Sequence, residues 1–427
     1  MTDFFPQFLR STKILGHVGI EGSKYFLSKL LGYQDNIQTT DNLKKVLGGL
    51  KGPIMKVAQI LGTIPDLLPE DQASILRELQ VSAPPMSESF VKRRMKGELG
   101  EHWMDKFEEF NLKPSFAASL GQVHQGVLKN GERVALKLQY PDMESAVETD
   151  LRHLKVLLKG VTFYQGSLNL DDVMSEIEER LREEVDYTLE AERVNIFQDI
   201  FRETEFVKIP QMVKSLSTKC LLCSSWMGGE SIIQFQDADI EVRNLLAQRL
   251  FFAWYFPFYK QGVIHADPHF GNYAVSENHD LILYDFGCVR FFENDFVEGV
   301  LDLFEGLLNK DIQKCLRAYE NWGFEGVDAK NVHIFNMWAE LLYEPLLEDR
   351  IRPLQKDHSG IEGKNRLFSV LECLKKENHR IKIPKEFVFF DRATVGIGSG
   401  LLRLKTEQNW HKLFCDLLEK SGRKINF

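Results

Sequence analysis

The stretch His265-Ala266-Asp267-Pro268-His269-Phe270-Gly271-Asn272, followed by Leu281-Ile282-Leu283-Tyr284 and Asp285-Phe286-Gly287, decides how this chain folds. Phosphoryl transfer in kinase-like sites asks for an Asp at the acceptor hydroxyl, an Asn five positions on that holds a metal, and a later D-F-G Asp on magnesium. Asp267, Asn272 and Asp285 occupy those places. A D-F-G after an apolar strand arises by chance, so the offset from Asp267 to Asn272 is what gives the set its weight. Its oxygen donors suit a hard cation such as magnesium. His265 and His269 lie four apart beside Asp267, as a helical zinc pair would, but Pro268 between them forbids a regular helix. His265 reads instead as a loop histidine that holds the catalytic segment in shape.

Upstream, β-favouring residues from about Lys113 to Gln139 flank a turn at Asn130-Gly131, which predicts a hairpin. Lys137 closes its apolar strand, Val134 to Leu138, where a kinase places the lysine that contacts nucleotide phosphates. From Leu170 to about Gln198 the apolar positions Val173, Ile177, Leu181, Val185 and Leu189 step by four, which predicts one long acid-rich helix. Glu184 and Glu190 are the candidate ion-pair partners for the lysine, and on one helix they would lie about 120° apart. A strand pair is expected around Val207-Lys208-Ile209 and Cys220-Leu221-Leu222-Cys223. Beyond Gly228-Gly229 the pattern is largely helical, broken by a short strand from Asp280 to Tyr284.

This order is that of an α+β, bilobal protein-kinase-like fold. Residues 1–110, helical by their periodicity, form an N-terminal extension; 111–228 form the kinase-like N-lobe; and 229–427 form a helical C-lobe with the catalytic and metal-binding loops. Ser224-Ser225-Trp226-Met227 then falls at the hinge, where backbone groups would read adenine, so Met227 joins the candidate nucleotide contacts.

The G-x-G-x-x-G run of ordinary kinases does not precede Lys137. Pro114-Ser115-Phe116-Ala117-Ala118-Ser119-Leu120-Gly121-Gln122-Val123-His124 stands in its place. Small residues still let backbone N–H groups approach phosphates, although alanine restricts φ more than glycine does. At this point the chain resembles the UbiB-like, or aarF-domain, atypical kinases over residues from about Gly49 to Arg290. That family has an alanine-rich nucleotide loop, matched here by Ala117, Ala118, Ser119, Gly121 and Gln122. It also has a Lys-x-Gly-Gln segment, similar to Lys56-Val57-Ala58-Gln59, and a Glu-x-Asp motif, similar to Glu184-Val185-Asp186.

The resemblance implies a regulatory latch of Lys56 and Gln59 against Glu184 and Asp186, and leaves Glu190 as the partner of Lys137. Ala58, where the family has glycine, and Phe116, where the loop usually begins with alanine, depart from the pattern. The resemblance further implies ATP and magnesium as cofactors, a small-molecule or lipid substrate, quinone-biosynthesis proteins as partners, and lipid-stimulated ATP hydrolysis in isoprenoid-quinone metabolism with protein phosphorylation suppressed. Two other readings stay open: a protein kinase acting in trans, and a nucleotide-gated lipid-binding module without turnover.

Composition narrows the partners. The 427 residues carry a formal charge of −9, which disfavours broad nucleic-acid binding. The basic run Lys92, Arg93, Arg94 and Lys96 is followed at once by Glu98 and Glu101 and reads as a solvated helix face. Cys220 and Cys223 have C-x-x-C spacing but sit among leucines, as in a buried strand of a protein from a reducing compartment. No apolar run reaches the roughly 18 residues of a membrane-crossing helix; Leu245 to Ile264 reads as a buried core helix. The N-terminus, with Asp3, Phe4, Phe5 and Arg10, is neither a signal peptide nor a transit sequence. The chain is therefore expected to be cytoplasmic, with any membrane contact peripheral. Gly396, Gly398 and Gly400 read as positions of tight helix packing.

Overall fold

A computed structural model describes residues 85–118, 120–149, 151–152, 170–354 and 385–424. The N-terminal segment with Lys56, Ala58 and Gln59 lies outside the described residues, as does Ser119. Helices run in the order α1 (Glu88–Leu99), α2 (Leu170–Glu184), α3 (Tyr187–Ile200), α4 (Ile240–Gln261), α5 (Asn294–Asn309), α6 (Ile312–Asn321), α7 (Val332–Tyr343), α8 (Lys385–Arg403) and α9 (Trp410–Ser421). Strands run β1 (Phe107–Phe110), β2 (Phe116–Ala118), β3 (Gly121–Leu128), β4 (Arg133–Gln139), β5 (Val207–Lys208), β6 (Leu221–Ser225), β7 (Glu230–Ser231), β8 (Val263–His265), β9 (Tyr273–Val275), β10 (Leu281–Leu283) and β11 (Val289–Phe291). The described residues divide into two compact units. One comprises those up to Leu189 with Met212–Trp226, the other Glu190–Gln211 with those from Met227.

The first unit is built on an antiparallel sheet in the order β1-β3-β4-β6, with β2 added to β3. The expected hairpin forms, and at its turn the Asn130 side-chain oxygen accepts from the Glu132 N–H at 3.0 Å. Period-2 alternation sorts its residues onto two faces. Val134, Leu136 and Leu138 of β4 are fully buried on one face, against Val91 and Met95 of α1, Trp103 and Phe107. Val91 and Met95 are four residues apart and so share one stripe of α1. Ala135 and Lys137 belong to the opposite face.

Two local expectations are corrected. The acid-rich helix is not continuous: α2 stops at Glu184 and α3 starts at Tyr187. Apolar spacing carries on through Val185, but Asp186 ends the ladder, because its Oδ1 accepts from the Thr188 N–H at 3.0 Å and from the Thr188 hydroxyl at 2.5 Å. The Tyr187 N–H turns to the Lys219 carbonyl at 3.0 Å. A side-chain cap has outcompeted helical propagation. Glu184 and Glu190 therefore sit on separate helices, and the 120° relation does not apply. The expected strand pair does not form either: β5 runs parallel to β10, whereas β6 is antiparallel to β4.

In the second unit α4 is apolar nearly all round, with Leu246, Leu250, Phe251, Trp254, Phe258 and Tyr259 buried, as a central core helix should be. Among the described residues no helix is long and apolar enough to cross a membrane. Gly262 ends α4 in the left-handed region, φ +67°, and its N–H caps the Phe258 carbonyl at 2.8 Å. The chain then enters β8, which pairs with β11, while β5, β10, β9 and β7 make a small separate sheet. Cys223 is buried in β6, and burial pushes its thiol up to about 12, which removes the thiolate that redox or metal duty needs.

Candidate active site

In the second unit the segment from His265 to Asn272, the predicted catalytic loop, is fixed from below and from behind. The Trp254 indole N–H of α4 donates to the His265 carbonyl at 2.9 Å, setting the end of β8. His265 is buried, and its Nε2 bonds the Asp285 carbonyl, so the D-F-G backbone hangs on the histidine that opens the loop. Within the loop, Asn272 Nδ2 donates to the Asp267 carbonyl at 2.9 Å. That bond orients the amide so that Oδ1, the only oxygen it can offer a cation, is the other end. His269 Nδ1 accepts from the Gly271 N–H at 3.0 Å, a turn contact and not a metal ligand.

The D-F-G segment is held as tightly. Asp285 Oδ1 accepts from the Gly287 N–H at 2.8 Å, and the Gly287 carbonyl accepts from buried Arg193 of α3 at 2.7 Å. Phe286 is fully buried, its ring 5.0 Å from that of Phe197. Tyr284, just before Asp285, donates its hydroxyl to the Met227 carbonyl at 3.0 Å, so that predicted hinge position is tied to the start of the D-F-G segment. Tyr273 follows Asn272, and its buried hydroxyl makes no hydrogen bond among the described residues. Burial, and secondarily the charge of Asp267, push its pKa up.

In the first unit Ala117 and Ala118 lie on β2, paired with Gln122 and Gly121 of β3. The alanine-rich segment is thus the tip of a hairpin. Gly121 faces the Leu138 carbonyl with no room for a Cβ. Phe116, which departs from the family pattern, is exposed and stacks on Trp226, ring centroids 6.1 Å apart, with the Arg133 guanidinium 5.9 Å from the indole. Lys137 Nζ lies 5.2 Å from the centre of the Tyr187 ring. Glu190 is buried and belongs to the second unit, so the two expected members of the ion pair fall in different units. Asp186 spends Oδ1 on its helix cap.

Residues 78–319 match the sequence profile of the ABC1 atypical kinase-like domain, more than half of the chain. The chain belongs to that family. Members it is similar to include the Protein ACTIVITY OF BC1 COMPLEX KINASE 8, chloroplastic, of Arabidopsis thaliana, 30% identical over 84% of this chain and 51% of that protein. It therefore spans about half the length of that relative. The Atypical kinase COQ8B, mitochondrial, of Rattus norvegicus is 25% identical over 94% of this chain and 74% of its own. A solved structure, the complex of Rv3197 with erythromycin from Mycobacterium tuberculosis, superposes with a TM-score of 0.63 at 23% identity, covering 89% of this chain and 96% of that one. The kinase-like fold of mixed helices and sheets follows from these, and the resemblance noted from the motifs stands.

ABC1 family membership does not by itself find what lies under the catalytic loop. A Cβ on Gly396 of α8 would sit 2.9 Å from Pro268 Cγ, and one on Gly400 would sit 2.6 Å from Phe270 Cε1. The helical spacing of the two glycines was the only hint in the sequence. Gly398 between them faces open space. Gly400→Ala is accordingly expected to lose about 1–3 kcal/mol by overpacking, whereas Gly398→Ala gains about 0.5–1 kcal/mol from helix propensity. Thermal denaturation of the two variants checks the pair, and equal shifts would remove α8 as the floor of the loop.

Proposed function

We propose that the chain is an atypical kinase or ATPase that binds Mg-ATP and serves isoprenoid-quinone or lipid metabolism. One observation carries the reading. Asp267, Asn272 and Asp285 are locked by backbone-directed bonds: the Asn272 amide on the Asp267 carbonyl, His265 on the Asp285 carbonyl, and the Gly287 N–H on the Asp285 carboxylate. Such preorganisation is costly to maintain and is what phosphoryl transfer needs, since its catalysis is mostly positioning and charge stabilisation.

The donor set fits magnesium: the Asp285 carboxylate and the Asn272 amide oxygen, both hard, with the remaining positions left to phosphate oxygens and water. Among the described residues no cluster of three or more His, Cys, Asp and Glu side chains offers a softer cage. Asn272 and Asp285 would hold the ion, which when bound neutralises charge on the phosphates. Asp267 would accept the proton of the attacking hydroxyl or water. Lys137 and the backbone of Ala117, Ala118, Ser119 and Gly121 would take the phosphate oxygens, with Glu190 orienting the lysine. Met227 would meet the base. Lys56 and Gln59 would latch against Glu184 and Asp186 and keep protein substrates out, as the family resemblance implies.

The test is magnesium-dependent ATP hydrolysis by the purified chain, with and without vesicles containing anionic lipid, beside labelled-phosphate transfer to peptides. Turnover that rises with vesicles and leaves peptides unlabelled is the expected result. Peptide labelling would favour a protein kinase acting in trans, and ATP binding without turnover would favour a nucleotide-gated lipid-binding module.

A further inference from the structure

On β3 the residues alternate between the Lys137 face and the α1 face, and two polar side chains, Gln122 and His124, point into the buried one. Gln122 is 1% exposed and His124 is fully buried. His124 Nδ1 lies 2.8 Å from the Asn111 carbonyl. A carbonyl only accepts, so the proton of the ring is on Nδ1 and Nε2 is an acceptor. Gln122 Nε2 lies 2.8 Å from Nε2 of the ring and donates to it, which turns Gln122 Oε1 the other way, onto the Met86 N–H at 2.9 Å. The Asn111 carbonyl thus sets the tautomer, the tautomer sets the amide, and the amide holds the backbone just ahead of α1.

Gln122 is also the second residue of β3, directly behind the alanine-rich tip. The tip is closed by the Ser115 N–H on the Val123 carbonyl at 2.8 Å and by the Tyr140 N–H on the Leu120 carbonyl at 2.9 Å. The first bond refers the tip to the strand that Gln122 and His124 fix, and the second refers it to the end of β4, which is paired along that strand. We infer that His124 is a positioning residue for the nucleotide loop, acting through Gln122 from the far side of the sheet. The inference deepens the proposed Mg-ATP reading and rests on it for its binding consequence, though not for its chemistry.

The chain of bonds tolerates only a neutral ring. With both nitrogens protonated, Nε2–H would face the Gln122 amide N–H; flipping the amide repairs that contact but turns its NH2 group onto the Met86 N–H. A donor–donor clash survives either way, and an unmade buried bond is expensive. The surroundings agree. Phe110 stacks on the ring at 5.5 Å, Leu136 is the cross-strand neighbour, and among the described residues no carboxylate or cation acts on it. Burial lowers its pKa below 6.5, with the Asn111 carbonyl opposing. The sign follows: the unfolded ring takes up the proton first, so the stabilisation is complete above about pH 6.5 and is lost as pH falls through the depressed value.

The test has two arms on the full chain. In the first, imidazole nitrogen NMR of histidine-labelled wild type, with His124→Phe to assign the resonance, should show His124 as the neutral Nδ1–H tautomer, titrating below the ordinary histidine value. An Nε2–H tautomer, or titration near 6.5, overturns the proposal. In the second, ATP affinity of wild type should fall as pH drops below about 6.5 and through the depressed value of His124. Gln122→Met, which keeps the ring and cuts the chain, should bind about tenfold more weakly, the worth of one hydrogen bond, and should lose that pH dependence. Gln122→Met binding ATP as wild type does would also overturn it. Failure of every form to bind ATP, with the NMR result as expected, would reject the ATP reading and the loop-positioning consequence, and leave the bond chain standing as structure only.

Discussion

Asp285→Asn is expected to abolish magnesium-dependent ATP turnover, by roughly a thousandfold or more, while leaving the fold intact. The two halves of that expectation come from different atoms. Asp285 Oδ1 accepts from the Gly287 N–H, and an asparagine oxygen can take over that bond, so the D-F-G turn keeps its shape. The carbonyl held by His265 is backbone and does not change. What disappears is the negative charge that would hold magnesium. Thermal denaturation should therefore be nearly unmoved and ATP binding should lose its magnesium dependence.

Asp267→Asn makes the informative partner, because the Asp267 bond to Asn272 is also through its carbonyl and survives. It should bind Mg-ATP as wild type does and turn it over far more slowly. A cellular phenotype that survives Asp267→Asn and is lost in Asp285→Asn would displace the enzyme reading in favour of a nucleotide-gated module. A turnover rate unchanged in Asp285→Asn would remove the assignment of the metal site altogether.

Much of this was legible in the chain because motif spacing and backbone constraint coincide. Pro268 argued against a helical zinc pair, and His265, read as the histidine that holds its segment in shape, does bond the Asp285 carbonyl. The hairpin around Asn130-Gly131 was readable because its turn chemistry is local. The break between α2 and α3 was not: hydrophobic periodicity reports which face is buried, and that face continues through Val185, while the cap at Asp186 depends on a carboxylate accepting from Thr188, which periodicity does not see. The partner of β5 was equally hidden, since pairing with β10 is a long-range choice. Gln122 was read as a nucleotide contact from its place in the motif. Counting in twos from Val123 puts Gln122 and His124 together on the face opposite Lys137, and two polar residues on a buried face are the signal of a hydrogen-bonded chain.

Gly262→Ala is expected to cost about 2–6 kcal/mol, from two separate causes. Its φ of +67° penalises any side chain by about 1–3 kcal/mol, and a Cβ there would run into the Phe292 carbonyl, which adds about 1–3 kcal/mol of overpacking. Gly422 separates the causes: it ends α9 at φ +80°, as Gly262 ends α4, but a Cβ on it meets nothing. Gly422→Ala should thus show the backbone cost alone. The difference between the two in thermal denaturation is the cost of the contact. That contact matters for the site because the Gly262 carbonyl accepts from the Phe292 N–H at 2.7 Å, and the β8–β11 ladder that follows leads to His265. Pushing Phe292 away from Gly262 loosens the strand from which His265 grips the Asp285 carbonyl, so Gly262→Ala should lose turnover in its folded fraction whereas Gly422→Ala should not. Equal losses of stability in both variants would mean that the join between α4 and the catalytic strand is not tightly packed, and that the loop takes its order from Trp254 and α8 instead.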